Sequence, residues 1–310
     1  MNNIITITMN PCIDKSTSVD NVVAERKLRC ARPRYEPGGG GINVSRALKR
    51  LGEESTALYP AGGAVGDMLK ELLDQEYVLQ KPFEIKALSR QSFIVYEESS
   101  SQQYRFGMPG PEIRETEWHG FMDRLKQTDF KPDYIICSGS LPPGVPEDFY
   151  AGVSKWGKAH GAKTIVDTTG KPLASACREG VFLVKPNLRE LEIIEGEAIE
   201  NEQQQERLAR RLVEDVCCEV VVVSLGAAGA LLVWKGGVER IRAPTVPIKS
   251  KVGAGDSMVA GITAALARTW ELPDAVRFGV AAGAAAVMTP GTELCRREDT
   301  ERLYEQIRNA

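Results

Sequence analysis

Short apolar runs, each followed by a polar turn and then a helical stretch, recur through the middle of this chain. Residues 134–137 lead into Ser138-Gly139-Ser140-Leu141-Pro142-Pro143-Gly144 and a helix to about His160. Residues 164–167 lead into Thr168-Thr169-Gly170 and another helix, and residues 182–184 into Lys185-Pro186-Asn187 and a helix carrying Glu190. Residues 219–223 end in Ser224-Leu225-Gly226-Ala227-Ala228-Gly229. Strands that are apolar throughout, alternating with helices, require a parallel sheet covered on both faces, so the fold class is α/β. Loops that follow such strands share one edge of the sheet, where polar groups remote in sequence converge. A hairpin pattern over residues 231–241, turning at Lys235-Gly236-Gly237, interrupts the series.

Two glycine-rich turns open helices. Val252-Gly253-Ala254-Gly255-Asp256-Ser257-Met258 runs into an apolar, alanine-rich stretch. Free backbone N–H groups and the helix dipole suit an anion there, and Asp256 falls in the first turn. An anion hole beside a carboxylate base is what phosphoryl transfer to a hydroxyl needs. A glycine turn with Asp256 as an ordinary N-cap accounts for the same residues equally well. Upstream, Gly38-Gly39-Gly40-Gly41-Ile42-Asn43 opens a helix whose apolar stripe is Val44, Ala47, Leu48 and Leu51, ending at Gly52. Four glycines are costly in backbone entropy, which favours close approach of a polyhydroxylated ligand over a flexible linker. Residues 275–288 read as a further helix, whose small residues admit either a flat ligand or a neighbouring helix.

Residues 4–8 read as a β-branched strand ended by Asn10-Pro11, with Asp14 just beyond, as a ligand group or a turn residue. Residues 15–35 and 92–106 look like two polar β-ribbons projecting from the body. Lys27, Arg29, Arg90 and Arg105 lie in or beside them, each compatible with an ordinary solvated strand face.

Composition narrows the function. With 42 acidic and 39 basic residues, a net charge of −3 and no basic block, neither nucleic acid nor a membrane surface is the expected partner. The seven cysteines are scattered without a C-x-x-C spacing, which points to a reducing cytoplasm rather than zinc or disulfides. The two histidines, His119 and His160, sit in amphipathic helical stretches and offer little for a triad or metal centre. No G-x-x-x-x-G-K-[ST], complete G-x-G-x-x-G or protein-kinase H-R-D set occurs, so phosphoryl transfer must use another scaffold.

Taken together, Gly38-Gly39-Gly40-Gly41-Ile42-Asn43, Lys185-Pro186-Asn187 with Glu190, Ser224-Leu225-Gly226 and Val252-Gly253-Ala254-Gly255-Asp256 carry a resemblance. Over essentially its full length the chain resembles the ribokinase-like (PfkB) family of carbohydrate kinases. The resemblance implies one kinase domain over residues 1–310, a three-layer fold with a mainly parallel central sheet flanked by helices. A small β-sheet lid built from about 15–35 and 90–107 would form a homodimer interface. It implies ATP- and magnesium-dependent phosphorylation of the 1-hydroxyl of fructose 6-phosphate. Kinases of fructose 1-phosphate and tagatose 6-phosphate, the nearest alternatives, typically carry lysine where Gly40 stands. A catalytically silent sugar- or nucleotide-binding regulator on the same fold would have no use for the base.

By the same resemblance Asp256 would be the base, with Gly253, Ala254 and Gly255 as the anion hole. Asp14, Gly39, Gly40, Asn43 and Ser140 would hold the sugar, and Lys27, Arg29 and Arg90 its phosphate. Lys185, Asn187, Ser224, Gly226 and Gly229 would line the ATP site, and Glu190 would act on Mg2+ through water. Ser250 and Val252 are candidates for a K+ site, with serine at 250 where many relatives have aspartate.

Overall fold

The computed structural model describes residues 3–127, 131–215 and 217–309. The chain opens with β1 (Ile4–Ile7), leaves the main body for β2 (Cys12–Val19) and β3 (Arg34–Gly38), and returns through α1 (Gly40–Leu51) to β4 (Thr56–Ala61). Then come α2 (Gly63–Gln75), β5 (Leu79–Glu84), the excursion β6 (Arg90–Glu97) and β7 (Gln102–Phe106), and α3 (Glu115–Gln127). The alternating part follows as β8 (Tyr134–Ser138), α4 (Phe149–Ala159), β9 (Lys163–Asp167), α5 (Gly170–Glu179), β10 (Val181–Val184), α6 (Leu188–Glu195), α7 (Glu202–Glu214) and β11 (Cys218–Ser224). The hairpin β12 (Ala230–Trp234) and β13 (Gly237–Ile241) precedes α8 (Ala254–Ala267), α9 (Leu272–Val287) and α10 (Arg297–Arg308).

Nine strands form the main sheet in the order β13-β12-β11-β10-β9-β8-β1-β4-β5, parallel from β11 to β5, with the hairpin antiparallel at one edge. Successive strand residues point to opposite faces. Thus Ile4, Ile136, Ile165, Leu183, Val220 and Val222 pack under α1, α8, α9 and α10. Ile5, Ile135, Val166, Val184, Val221 and Val223 pack under α3 to α7 on the other face. Two apolar layers therefore sandwich one sheet, as the apolar strands require. The strand order reverses between β1 and β8, and an open α/β sheet holds its ligand in the crevice beyond such a reversal.

The two polar ribbons are the antiparallel pairs β2-β3 and β6-β7, and they join into one four-stranded sheet, β3-β2-β6-β7, through β2 and β6, which run parallel over their full length. Residues 20–33, expected within a ribbon, form an exposed connection instead. The small residues of α8 and α9 admit a neighbouring helix rather than a ligand. A Cβ on Gly261 would meet Gly279 Cα at 2.9 Å, and one on Gly279 would meet Ile262 Cγ1 at 2.4 Å. Among the described residues, no helix is long and apolar enough to cross a membrane.

Candidate active site

The glycine run is tight because it threads between strand ends. A Cβ on Gly39 would meet Thr8 Cγ2 at 2.7 Å, one on Gly40 would meet Ser138 Oγ at 2.3 Å, and one on Gly41 would meet Ile7 O at 2.7 Å. Helix α1 thus starts in the crevice between β1 and β8, its opening turn fastened where Ile42 N donates to Thr8 Oγ1 at 2.7 Å. This placement brings Asn43, on the first turn of α1, against the first turn of α8.

There the N-cap is Gly253, in the left-handed region at φ 75°, and Asp256 is the third helical residue. Asp256 is therefore not the cap. Its Oδ2 accepts from Asn43 Nδ2 at 2.8 Å. Burial pushes its pKa up to about 6, Asp167 and Asp14 add to the rise, and the Asn43 bond and Lys185 oppose it. A carboxyl poised near neutrality is suited to taking a proton from a hydroxyl.

Asp256 and Gly253 border a cavity of about 430 Å³ between the main sheet and the small one. Asp14, Gly39, Gly40, Asn43 and Arg90 line it as well, and so does Val252. Asp14 lies in β2, not in the turn after β1. Burial raises its pKa, while the Cys12 thiol, donating to Oδ1 at 3.3 Å, and the cations Arg105, Arg90 and Arg46 pull it back. The guanidinium of Arg90 is held by the carbonyls of Met108 (2.9 Å) and Asn10 (3.0 Å), while its buried Nε has no partner. Arg105 lines the same cavity from β7.

The second cluster sits on the neighbouring strand ends. Lys185, buried after β10, places Nζ 3.1 Å from Asp167 Oδ1. Burial works against the ammonium, but Asp167, Glu190 and Asp256 together leave its pKa raised. A Cβ on Gly255 would come within 3.5 Å of that Nζ, so Lys185 reaches the start of α8, where Ala254 and Gly255 present their N–H groups. Asn187 caps α6 in a capping box: its side chain accepts from Glu190 N at 2.9 Å, and Glu190 Oε2 accepts from Asn187 N at 2.8 Å. Burial raises the pKa of Glu190. Ser224 pairs across to this turn, its N donating to Pro186 O at 2.8 Å. Gly226 and Gly229 both take positive φ in the turn after β11, and a Cβ on Gly229 would meet Ile241 O at 2.0 Å.

Ser250 Oγ donates to Gly291 O at 2.7 Å and accepts from Val252 N at 3.2 Å, which ties this loop to the one after α9. The hydroxyl of Thr292 is buried without a partner.

Three predicted residues stand apart. Lys27 and Arg29 are exposed on the 20–33 connection and do not line the cavity of this chain. Ser140 is exposed and accepts from Asn10 Nδ2 at 3.0 Å, while its neighbour Gly139 borders the cavity. Sequence reasoning missed Asp167, which ends an apolar strand, and Arg46, which sits in the amphipathic helix α1. Only three-dimensional pairing reveals either.

Residues 1–299 match the pfkB family of carbohydrate kinases. The chain is 45% identical over 302 residues to the ATP-dependent 6-phosphofructokinase isozyme 2 of Mycobacterium tuberculosis, covering 97% of this chain and 89% of that one. It is 40% identical to the isozyme 2 enzyme of Escherichia coli, covering 98% of both. The phosphofructokinase-2 structure of Escherichia coli in complex with potassium superposes with a TM-score of 0.95 over 99% of this chain and 100% of that one, at 39% identity. Other structures of that enzyme contain fructose-6-phosphate or show a tetrameric inhibited form. The likeness spans both sheets and every segment that builds the cavity: this chain belongs to the pfkB family of carbohydrate kinases.

Proposed function

We propose that this chain is an ATP-dependent 6-phosphofructokinase, transferring the γ-phosphoryl group of ATP to the 1-hydroxyl of fructose 6-phosphate to give fructose 1,6-bisphosphate. The observation that carries the reading is the meeting of Asp256, Asp14, Asn43, Arg90 and Arg105 around one cavity. Two carboxylates and an amide suit sugar hydroxyls, and two guanidinium groups suit a sugar phosphate.

Asp256 accepts the proton of the 1-hydroxyl as the oxygen attacks phosphorus. An aliphatic hydroxyl is a very weak acid, and a loose transition state lets the proton leave late, so positioning and charge neutralisation dominate. The N–H groups of Ala254 and Gly255 and the ammonium of Lys185 stabilise the charge on the migrating group. ATP lies along the turns of Asn187, Ser224, Gly226 and Gly229. Arg90 and Arg105 hold the 6-phosphate, so the opposite end of the sugar faces Asp256.

Mg2+ fits the donor set: Asp167 and Glu190 flank Lys185, and this ion binds through one or two carboxylates together with substrate phosphates. When bound, it neutralises phosphate charge. K+ fits the oxygen-rich loop of Ser250, Val252 and Gly291, where the Thr292 hydroxyl has no protein partner. Gly40, where kinases of the isomeric sugar phosphates typically carry lysine, favours fructose 6-phosphate, and a Cβ there would press on Ser138 and the backbone of Gly139. A soluble glycolytic role in the cytoplasm accords with seven free cysteines.

The test is ADP release with fructose 6-phosphate, fructose 1-phosphate, tagatose 6-phosphate and free hexoses. The highest kcat/KM is expected for fructose 6-phosphate, and a preference for any other member of the panel would overturn the assignment.

A further inference from the structure

The most buried guanidinium in the protein has so far entered only as one of the cations that lower the pKa of Asp14. Arg46 is 1% exposed, on α1, one turn below Asn43. Its Nε and NH2 donate to the two carboxylate oxygens of Glu76 at 2.8 and 2.6 Å, at the end of α2. Its NH1 donates to Pro37 O of β3 at 2.8 Å and to Asn43 Oδ1 at 3.4 Å. Glu36 lies 3.9 Å away.

These contacts fix a choice that Asn43 alone leaves open. An amide can turn either its oxygen or its N–H groups toward Asp256. A guanidinium carries only donors and an ionised carboxylate only acceptors, so a neighbour of each kind on opposite sides permits one orientation. The oxygen faces Arg46 and the N–H faces Asp256. We infer that Arg46 is a positioning residue: clamped by Glu76, it locks the Asn43 amide so that Asp256 is held and aimed into the sugar cavity. Through Pro37 O the same guanidinium fastens the base of the small sheet to α1, so the lid and the catalytic base share one anchor. This inference rests on the kinase reading above.

The arrangement makes a separable demand. With the anchor weakened, Asn43 rotates more freely, Asp256 loses part of its donor, and its carboxylate is harder to keep ionised among Asp167 and Asp14, which Lys185 opposes. Arg46 also bears on Asp256 through Asp14, whose pKa it helps to lower; Arg46→Lys keeps that positive charge, so the change it makes enters through Asn43.

The test is a cycle of Arg46→Lys, Asn43→Ala and the double variant, assayed by steady-state kinetics against pH. Arg46→Lys keeps the charge but loses the planar fork. It should lower kcat about 10- to 100-fold, as small misplacements of a reacting group do. KM for ATP should stay within about twofold, since ATP binding is untouched. The acid limb of the kcat profile should move to higher pH. The double variant should be no slower than Asn43→Ala alone, because the two residues act in series. Multiplying losses in the double variant, or an unmoved acid limb with kcat intact, would overturn the inference. Should Arg46→Lys fail to fold, Glu76→Gln at the rim must reproduce the upward shift of the acid limb at smaller amplitude; a fall in Tm with no shift would count against it. Failure of the kinase reading would look different, since the unmodified protein would then not release ADP with fructose 6-phosphate.

Discussion

At the scale of the residue, Asp256 is defined by being costly to keep charged. Its pKa lies at about 6 against an ordinary 3.8, so between those values the folded chain binds more protons than the unfolded chain. Stability contributed by this site therefore falls as pH rises from about 4 to 6, and the deficit persists above. Asp256→Asn removes it. The variant should melt above the wild type at pH 7.5, by on the order of 2 kcal/mol, and lose that advantage below pH 4. The same change removes the proton acceptor, and kcat should drop by roughly 10²–10⁴-fold with both Michaelis constants little altered. Thermal melts at the two pH values, beside turnover, check the pair: a variant that is slower and also less stable at pH 7.5 would contradict it. Asn43→Ala should raise the pH of the acid limb, because the donor that opposes the rise of Asp256 is gone. Two ends of this pair, Asp256 and Asn43, were legible in the sequence because each follows a glycine turn that only a helix start explains. Asp167 and Arg46 were not. A strand-final aspartate and an arginine within an amphipathic helix are ordinary until the fold pairs them with Lys185 and Glu76.

At the scale of the element, what the sequence showed depended on whether burial left a periodic trace. Strands β8 to β11 are buried on both faces and read as continuous apolar runs. Strands β2 and β6 lie in a sheet with an exposed side, and their parallel pairing joins residues about 80 positions apart, which no local pattern records. Asp14 was misplaced for that reason: it belongs to β2 of the small sheet. The α8–α9 contact tests how far an element positions the chemistry. Gly261 and Gly279 each meet a neighbour too closely for a side chain, so Gly261→Val should push the two helices apart and destabilise the fold by about 1–3 kcal/mol. Since α8 carries Asp256 and the N–H groups beside it, kcat at a temperature well below the transition should fall as well. A denaturant midpoint and turnover equal to those of the wild type would mean that the contact is slack.

At the scale of the molecule, the small sheet leaves a row of aromatic side chains exposed. Register across its four strands places Tyr35, Lys15, Phe93 and Phe106 in a single row. The ammonium of Lys15 sits 5.4 Å from the Tyr35 ring centroid and 5.7 Å from that of Phe93. Tyr35, Phe93 and Phe106 are 37%, 37% and 48% exposed, and Val22 and Val23 on the 20–33 connection are exposed as well. Alternation along the strands turns this row away from the side carrying Asp14 and Ser92, although Phe93 and Phe106 also border the cavity and Tyr35 and Lys15 do not. A small sheet with aromatics in water on one side is poorly stable unless covered, and an aromatic patch of this kind marks an interface. The covering element we expect is the same sheet of a second copy, because a two-fold axis lets one patch serve both partners. The chain should therefore run as a homodimer at micromolar concentration in light scattering. Tyr35→Asp, away from the cavity, places a carboxylate in that row and should shift the equilibrium to monomer. KM for fructose 6-phosphate should rise with it, since Arg90 and Arg105 are carried by β6 and β7 of the sheet that dimerisation would hold in place. A monomeric wild type, or a monomeric Tyr35→Asp with unchanged KM for the sugar phosphate, would show that the lid closes over the cavity without a partner.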